Sequence, residues 1–117
     1  MDSDFRKLND RELGLLERLL EDDFAGRDEL RTQLPAITAK QIEPDGTLVL
    51  RCHSGSPARS KYLIANEAKC EDSDGGMMSV MLHINADGFM TMLEIIKYDG
   101  TPVLNPPSGS DLVLLPR

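Results

Sequence analysis

MMSVMLHINADGFMTMLEIIKY, residues 77–98, is the stretch whose reading decides the fold. Two runs rich in Val, Ile, Leu and Met flank Asp87-Gly88, a pair that favours the tight turn of a β-hairpin. With a two-residue turn there, Val80, Leu82, Ile84, Thr91, Leu93 and Ile95 share one face. Met77, Met81, His83, Met90, Met92, Glu94 and Ile96 share the other. A three-residue loop with a bulge at Gly88 would swap the faces of the second strand relative to the first. The two-residue register is preferred because its first face is more cleanly apolar.

Upstream, the pattern is also β. The runs 37–43 and 47–52 flank Pro44-Asp45-Gly46, in which proline presets one turn angle and glycine accepts the left-handed one. A third run, 61–70, is interrupted by Asn66, Glu67 and Lys69. Asp72 to Gly76 forms a turn. Downstream, 104–117 contains Pro106, Pro107 and Gly109 and reads as irregular, with 112–115 a short edge strand or a packed tail.

The N-terminal third switches to helical spacing. Residues 1–8 read as a polar lead-in. Asn9 followed by Glu12 makes a capping box, and Leu13, Leu16, Leu20 and Phe24 recur on one face, widened by Leu15 and Leu19. A second helix, about 27–34, presents Leu30 and Leu34 and stops at Pro35, whose ring disfavours helical geometry before it. Short turns between strands imply antiparallel neighbours. The expected fold is therefore α+β, one domain over 1–117, with two N-terminal helices on one face of a five-stranded, mostly antiparallel meander sheet.

The chain has 117 residues, a formal net charge of −7, 40% hydrophobic and 4% aromatic residues, and no Trp. An aliphatic, Met-rich core follows. The charge opposes binding to nucleic acid or to anionic lipid. No run approaches the roughly 20 apolar residues of a membrane span. The polar start has no secretory h-region, and Cys52 and Cys70 are the only cysteines. One disulfide between them is possible, but the expectation is a cytoplasmic protein with both thiols free.

Several groups of residues suggest chemistry. In the preferred register His83 and Glu94 lie on neighbouring strands of one face, the arrangement of an acid/base pair. No nucleophile aligns with them, so a structural pair is favoured. Asp72, Asp74 and Gly75 resemble part of a calcium loop, but Cys70 and Met81 occupy its first and last ligand positions. A solvated turn is expected instead. Cys52, Cys70, His53 and His83 lack zinc-site spacing, so no metal and no cofactor are expected. Arg51, Arg59 and Lys61 surround the hydroxyl-rich loop 53–60, a weak anion-binding candidate; a flexible surface loop is favoured.

The run from Asp72-Ser73-Asp74-Gly75-Gly76 through Leu82-His83, Gly88 and Leu93-Glu94-Ile95 to Asp99-Gly100-Thr101-Pro102-Val103, with the leucine-rich capped helix, resembles a family of small uncharacterised bacterial α+β domains. Some comparable proteins look like immunity proteins, which neutralise a toxin. The resemblance carries over no catalytic residue. The functional expectation is a non-enzymatic protein-binding module, of the immunity or antitoxin type. It would bind a protein partner or a second copy of itself through Met77, Met81, His83, Met90, Met92, Glu94 and Ile96. The alternative is a small-molecule-binding or enzymatic domain using His83 and Glu94.

Overall fold

The computed structural model describes residues 4–60 and 62–116. Its elements in chain order are β1 (Arg6–Lys7), α1 (Asp10–Leu19), α2 (Arg27–Gln33), a 3-10 turn (Leu34–Ala36), β2 (Ile37–Gln41), β3 (Leu48–Cys52), β4 (Ile64–Glu71), β5 (Met77–Ile84), β6 (Met90–Lys97), a second 3-10 turn (Gly109–Asp111) and β7 (Val113–Leu114). Asn9 caps α1 as its sequence implies. Its side chain accepts from the Glu12 N–H at 2.8 Å, and the Glu12 carboxylate accepts from the Asn9 N–H at 2.9 Å. Proline sits inside the first 3-10 turn, so α2 tightens before it ends.

The sheet has seven antiparallel strands rather than five, in the order β1-β2-β3-β6-β5-β4-β7. The two extra strands are short edges. Arg6–Lys7, in the expected lead-in, pairs with β2, and Val113–Leu114 pairs with β4. The order also corrects the simple meander. β3 takes β6 as its neighbour, not β4. Thr47 helps to fix this join, because its hydroxyl accepts from the Ile95 N–H at 3.0 Å and donates to the Ile95 carbonyl at 3.3 Å. The chain from β3 to β4 therefore passes the end of the β5–β6 hairpin, where the Ala58 N–H donates to the Gly88 carbonyl at 2.8 Å.

The hairpin at 85–89 combines both registers considered from sequence. Gly88 N–H donates to the Asn85 carbonyl, and Asn85 N–H to the Phe89 carbonyl, so the loop has three residues, 86–88. Gly88 has φ +92°, and a Cβ there would lie 2.7 Å from the Ala58 nitrogen; only glycine fits. One step further, Ile84 faces Met90 while His83 faces Met92, leaving Thr91 as an extra residue. This bulge restores the parity that the three-residue loop would have reversed. Leu82 still faces Leu93 and Val80 still faces Ile95. The exceptions lie at the bulge. Met90, expected on the second face, is a core residue only 1% exposed, and Thr91 does not join the buried face.

One sheet face supplies Ala39, Leu48, Leu50, Ala68, Met78, Val80, Leu82, Leu93 and Ile95 to a single hydrophobic core. Leu15, Leu16, Leu19, Leu20 and Leu30 of the helical region are buried in the same cluster. Burying each such side chain contributes about 1.5–3 kcal/mol against exposure. On this face Asn66 donates to the Leu19 carbonyl at the end of α1, at 2.8 Å. Arg6 clasps the buried Glu12 carboxylate at 2.7 and 2.8 Å. Burial pushes Glu12 upward, but the Arg6 guanidinium and the Asn9 N–H outweigh it and hold its carboxyl below the usual range.

The C-terminal segment stays on the side of α1. Arg11 donates to the Pro107 carbonyl and Arg18 to that of Leu112. Gly109 lies so close to α1 that a Cβ would come within 2.5 Å of the Gly14 carbonyl oxygen.

Candidate functional site

The second sheet face is the surface that the sequence singles out. From β5 it carries Met77, Ser79, Met81 and His83, and from β6 Met92, Glu94 and Ile96. Six of the seven residues proposed from sequence are brought together there; Met90 is the one that is not. β4 adds Glu67, Lys69 and Glu71, β3 adds Val49 and Arg51, β2 adds Thr38 and Lys40, and β1 adds Lys7. Met77 and Ile96 are exposed, and Met81, His83, Met92 and Glu94 are half-buried. The C-terminal segment runs past α1 to the β4 edge, where Val113–Leu114 forms the short edge strand that was one of its two expected forms.

His83 and Glu94 form the expected contact, Nε2 to Oε1 at 2.9 Å, with about a quarter and a third of their side chains exposed. They sit diagonally across β5 and β6 because His83 faces Met92 and Met81 faces Glu94. The only hydroxyl on the β5 part of this face, that of Ser79, donates to Glu67 instead. An open cleft of about 640 Å³ reaches this face between the β2–β3 turn and residues 100–103. Met92, Glu94 and Ile96 line it together with Ile42, but His83 does not.

The anion-binding candidates are dispersed. Arg51 stacks over the Phe5 ring, 4.1 Å from its centroid, on the second face. Arg59 lines a different open cleft, of about 880 Å³, with Leu30, Leu63 and Ile84. Lys61 lies outside the described residues. The intervening loop lies at the surface as expected, exposed over 53–60 except at Ala58, but it is tied to the core. Gln33, fully buried, donates to the Ser56 and Gly88 carbonyls at 2.8 and 2.9 Å and accepts from the Met90 N–H at 3.0 Å. Thr32 accepts from the Ser56 N–H, and Ala58 is buried.

The Asp72–Gly76 turn is exposed at Ser73, Asp74 and Gly75, as a solvated turn would be, but Asp72 is buried. Lys97 faces the core side, and its ammonium donates to Asp72 at 2.9 Å, to Asp74 at 2.7 Å and to the Pro102 carbonyl at 3.1 Å. The Asp72 carboxylate also accepts from the N–H groups of Ser73, Leu104 and Asn105. The Leu104 N–H above all, then Lys97 and the other two N–H groups, hold Asp72 well below the carboxylate range against the effect of burial. Asp74 hydrogen bonding, followed by Asp72, raises Lys97. An ammonium thus stands between the carboxylates that suggested calcium, and the cluster clips the β4–β5 turn to β6 and the C-terminal segment.

Cys52 and Cys70 are both free. Two strands, β6 and β5, separate theirs, so about three strand spacings, or roughly 14 Å, lie between them. No disulfide can form across that gap. Burial pushes the Cys70 thiol up to about 11, with Asp111 and Asp72 adding to it, and raises Cys52 as well. Among the described residues, no group of three or more His, Cys, Asp or Glu is placed to hold a metal ion. No helix among them is long and apolar enough to cross a membrane.

These features define a small α+β domain with one buried sheet face, one open face and an extensive internal polar clip. Residues 5–107 match the family model of a domain of unknown function, DUF6984, and the chain belongs to that family. No curated protein and no solved structure matches it.

Proposed function

We propose that this chain is a non-enzymatic protein-binding module that docks a protein on its second sheet face. In this reading the two helices cover the core face and leave the opposite face for the partner. The observation that carries it is the route of the C-terminal segment. That segment lies along α1, and on the opposite face Met77 and Ile96 are exposed and Met81 and Met92 half-buried. Met side chains are flexible and polarizable and suit an adaptable contact surface. An immunity-type role, neutralising a basic toxin, has the net charge of −7 in its favour.

The alternative, a site built on His83 and Glu94, has their 2.9 Å contact in its favour. It is weaker because the neighbouring cleft takes Glu94 without His83.

The test is affinity capture from the native host with the wild-type chain and with Met92→Lys. Met92 is half-buried on the open face, so the variant should fold. A protein recovered with the wild type and lost with Met92→Lys supports the reading. Identical recovery with both refutes it.

A further inference from the structure

We infer that the occupant of the second face is a second copy of this chain, packed face to face about a twofold axis parallel to the strands. This rests on the reading of that face as a protein-docking surface. The argument starts from where the charges lie. The strand residues that β1 to β3 present on this face are basic at Lys7, Lys40 and Arg51, with the Asp4 carboxylate beside Lys40. On β6, β5 and β4 it presents Glu94, Glu67 and Glu71, with Lys69 and His83. The sheet order places the three cations on one half and Glu67, Glu71, Lys69 and His83 on the other, with Glu94 on β6, the fourth and central of seven strands.

A face of this kind is complementary to itself in one orientation. A twofold axis lying in the interface and parallel to the strands carries each half onto the opposite half of the partner copy. Basic then meets acidic. An axis across the strands would place each half on its own equivalent, cation over cation. Closed pairs of this kind are the commonest oligomers, because one patch serves both copies. Complementary potentials fix the orientation more than they add affinity.

The apolar residues fall where such an axis would pass. Met92 and Ile96 lie on the central strand and would meet their own counterparts, flanked by Val49 on β3 and Met81 on β5. Glu94 lies between them, but its hydrogen bond to His83 draws the carboxylate toward β5 and off the axis. Lys40 is 3.5 Å from Asp4 and Arg51 covers Phe5, so part of the basic half is already engaged within the chain. Both side chains remain at the open face.

The extent is adequate. Seven strands about 4.8 Å apart and about 20 Å long give a plan area of roughly 600 Å², and side-chain relief raises it toward the roughly 800 Å² per partner of stable complexes.

Light scattering coupled to size exclusion, at roughly 100 μM chain, tests this directly. The expected mass is twice the 13.0 kDa of one chain. Met92→Lys and, separately, Ile96→Lys should each return it to the single-chain mass with an unchanged circular dichroism spectrum. Lys40→Glu should weaken the dimer by roughly tenfold. A single-chain mass for the wild type overturns the inference. So does a dimer that survives both lysine variants. If the single wild-type chain still captures another protein through Met92, self-docking fails and the protein-docking reading stands. If it captures none, both fail.

Discussion

Replacing Gln33 by Met should cost about 3–4 kcal/mol of folding stability, worked from two fully buried hydrogen bonds at about 1 kcal/mol each plus about 1–2 kcal/mol for an orphaned donor. The swap keeps an unbranched side chain of similar length, so it leaves little cavity and isolates the polar contribution. Of the three partners, the Gly88 carbonyl keeps the Ala58 N–H and the Ser56 carbonyl is the least enclosed. The Met90 N–H is the group left buried without an acceptor. The cost is a large part of the roughly 5–15 kcal/mol that holds a domain folded. In urea, with a slope of about 1.5 kcal/mol per M, the unfolding midpoint should fall by roughly 2 M. Circular dichroism measures it, and native-state proteolysis should find new cleavage within 53–60. A midpoint change below about 0.5 M, with the loop still protected, would show that Gln33 does not hold this end of the sheet.

Three further predictions follow from the same side-chain environments. Asp72 has a depressed pKa, so its stabilisation is present above the unfolded carboxylate value of about 3.9 and is lost as pH falls from there toward the folded value. Asp72→Asn should therefore lower stability at neutral pH and flatten its decline below about pH 4, as urea midpoints at several pH values would show. Gly88→Ala should destabilise through both its positive φ and its contact with the Ala58 backbone, and a thermal melt should fall by several degrees, whereas Gly75→Ala meets no neighbouring atom and should lose only the cost of its φ. In native protein a thiol reagent should modify Cys52 well before Cys70, since Cys70 is buried with its pKa pushed up to about 11; equal rates would contradict that burial.

Much of the fold was legible because local rules agreed with one another. The Asn9–Glu12 box, the Pro44-Asp45-Gly46 turn and the alternation along 77–84 each act within a few residues. The order of strands was not legible, because β3 pairs with β6 over a separation that no turn signal spans. Residues that act inside the molecule by linking distant segments were missed for the same reason. Neither Gln33 nor Lys97 was singled out from sequence, and only the tertiary fold places their partners. One signal for Lys97 was present: it continues the inward parity of Leu93 and Ile95, and an inward lysine requires carboxylates such as Asp72 and Asp74. The anion loop failed in the opposite way, since Arg51 and Arg59 are near in sequence yet belong to different surfaces.

The hairpin at 85–89 determines what the open face can bind. A three-residue loop alone would have turned Leu93 and Ile95 outward and Met92, Glu94 and Ile96 into the core, leaving Glu94 buried beside aliphatic side chains. The extra residue at Thr91 cancels that reversal and in doing so withdraws Met90, whose N–H donates to the Gln33 side chain. Core anchoring and surface composition are therefore coupled through one bulge. Deleting Thr91 would force a choice between the Gln33–Met90 contact and the register that keeps Leu93 opposite Leu82. The open face, with its methionines on β5 and β6 and its cations on β1 to β3, exists in its present form because both constraints are met at once.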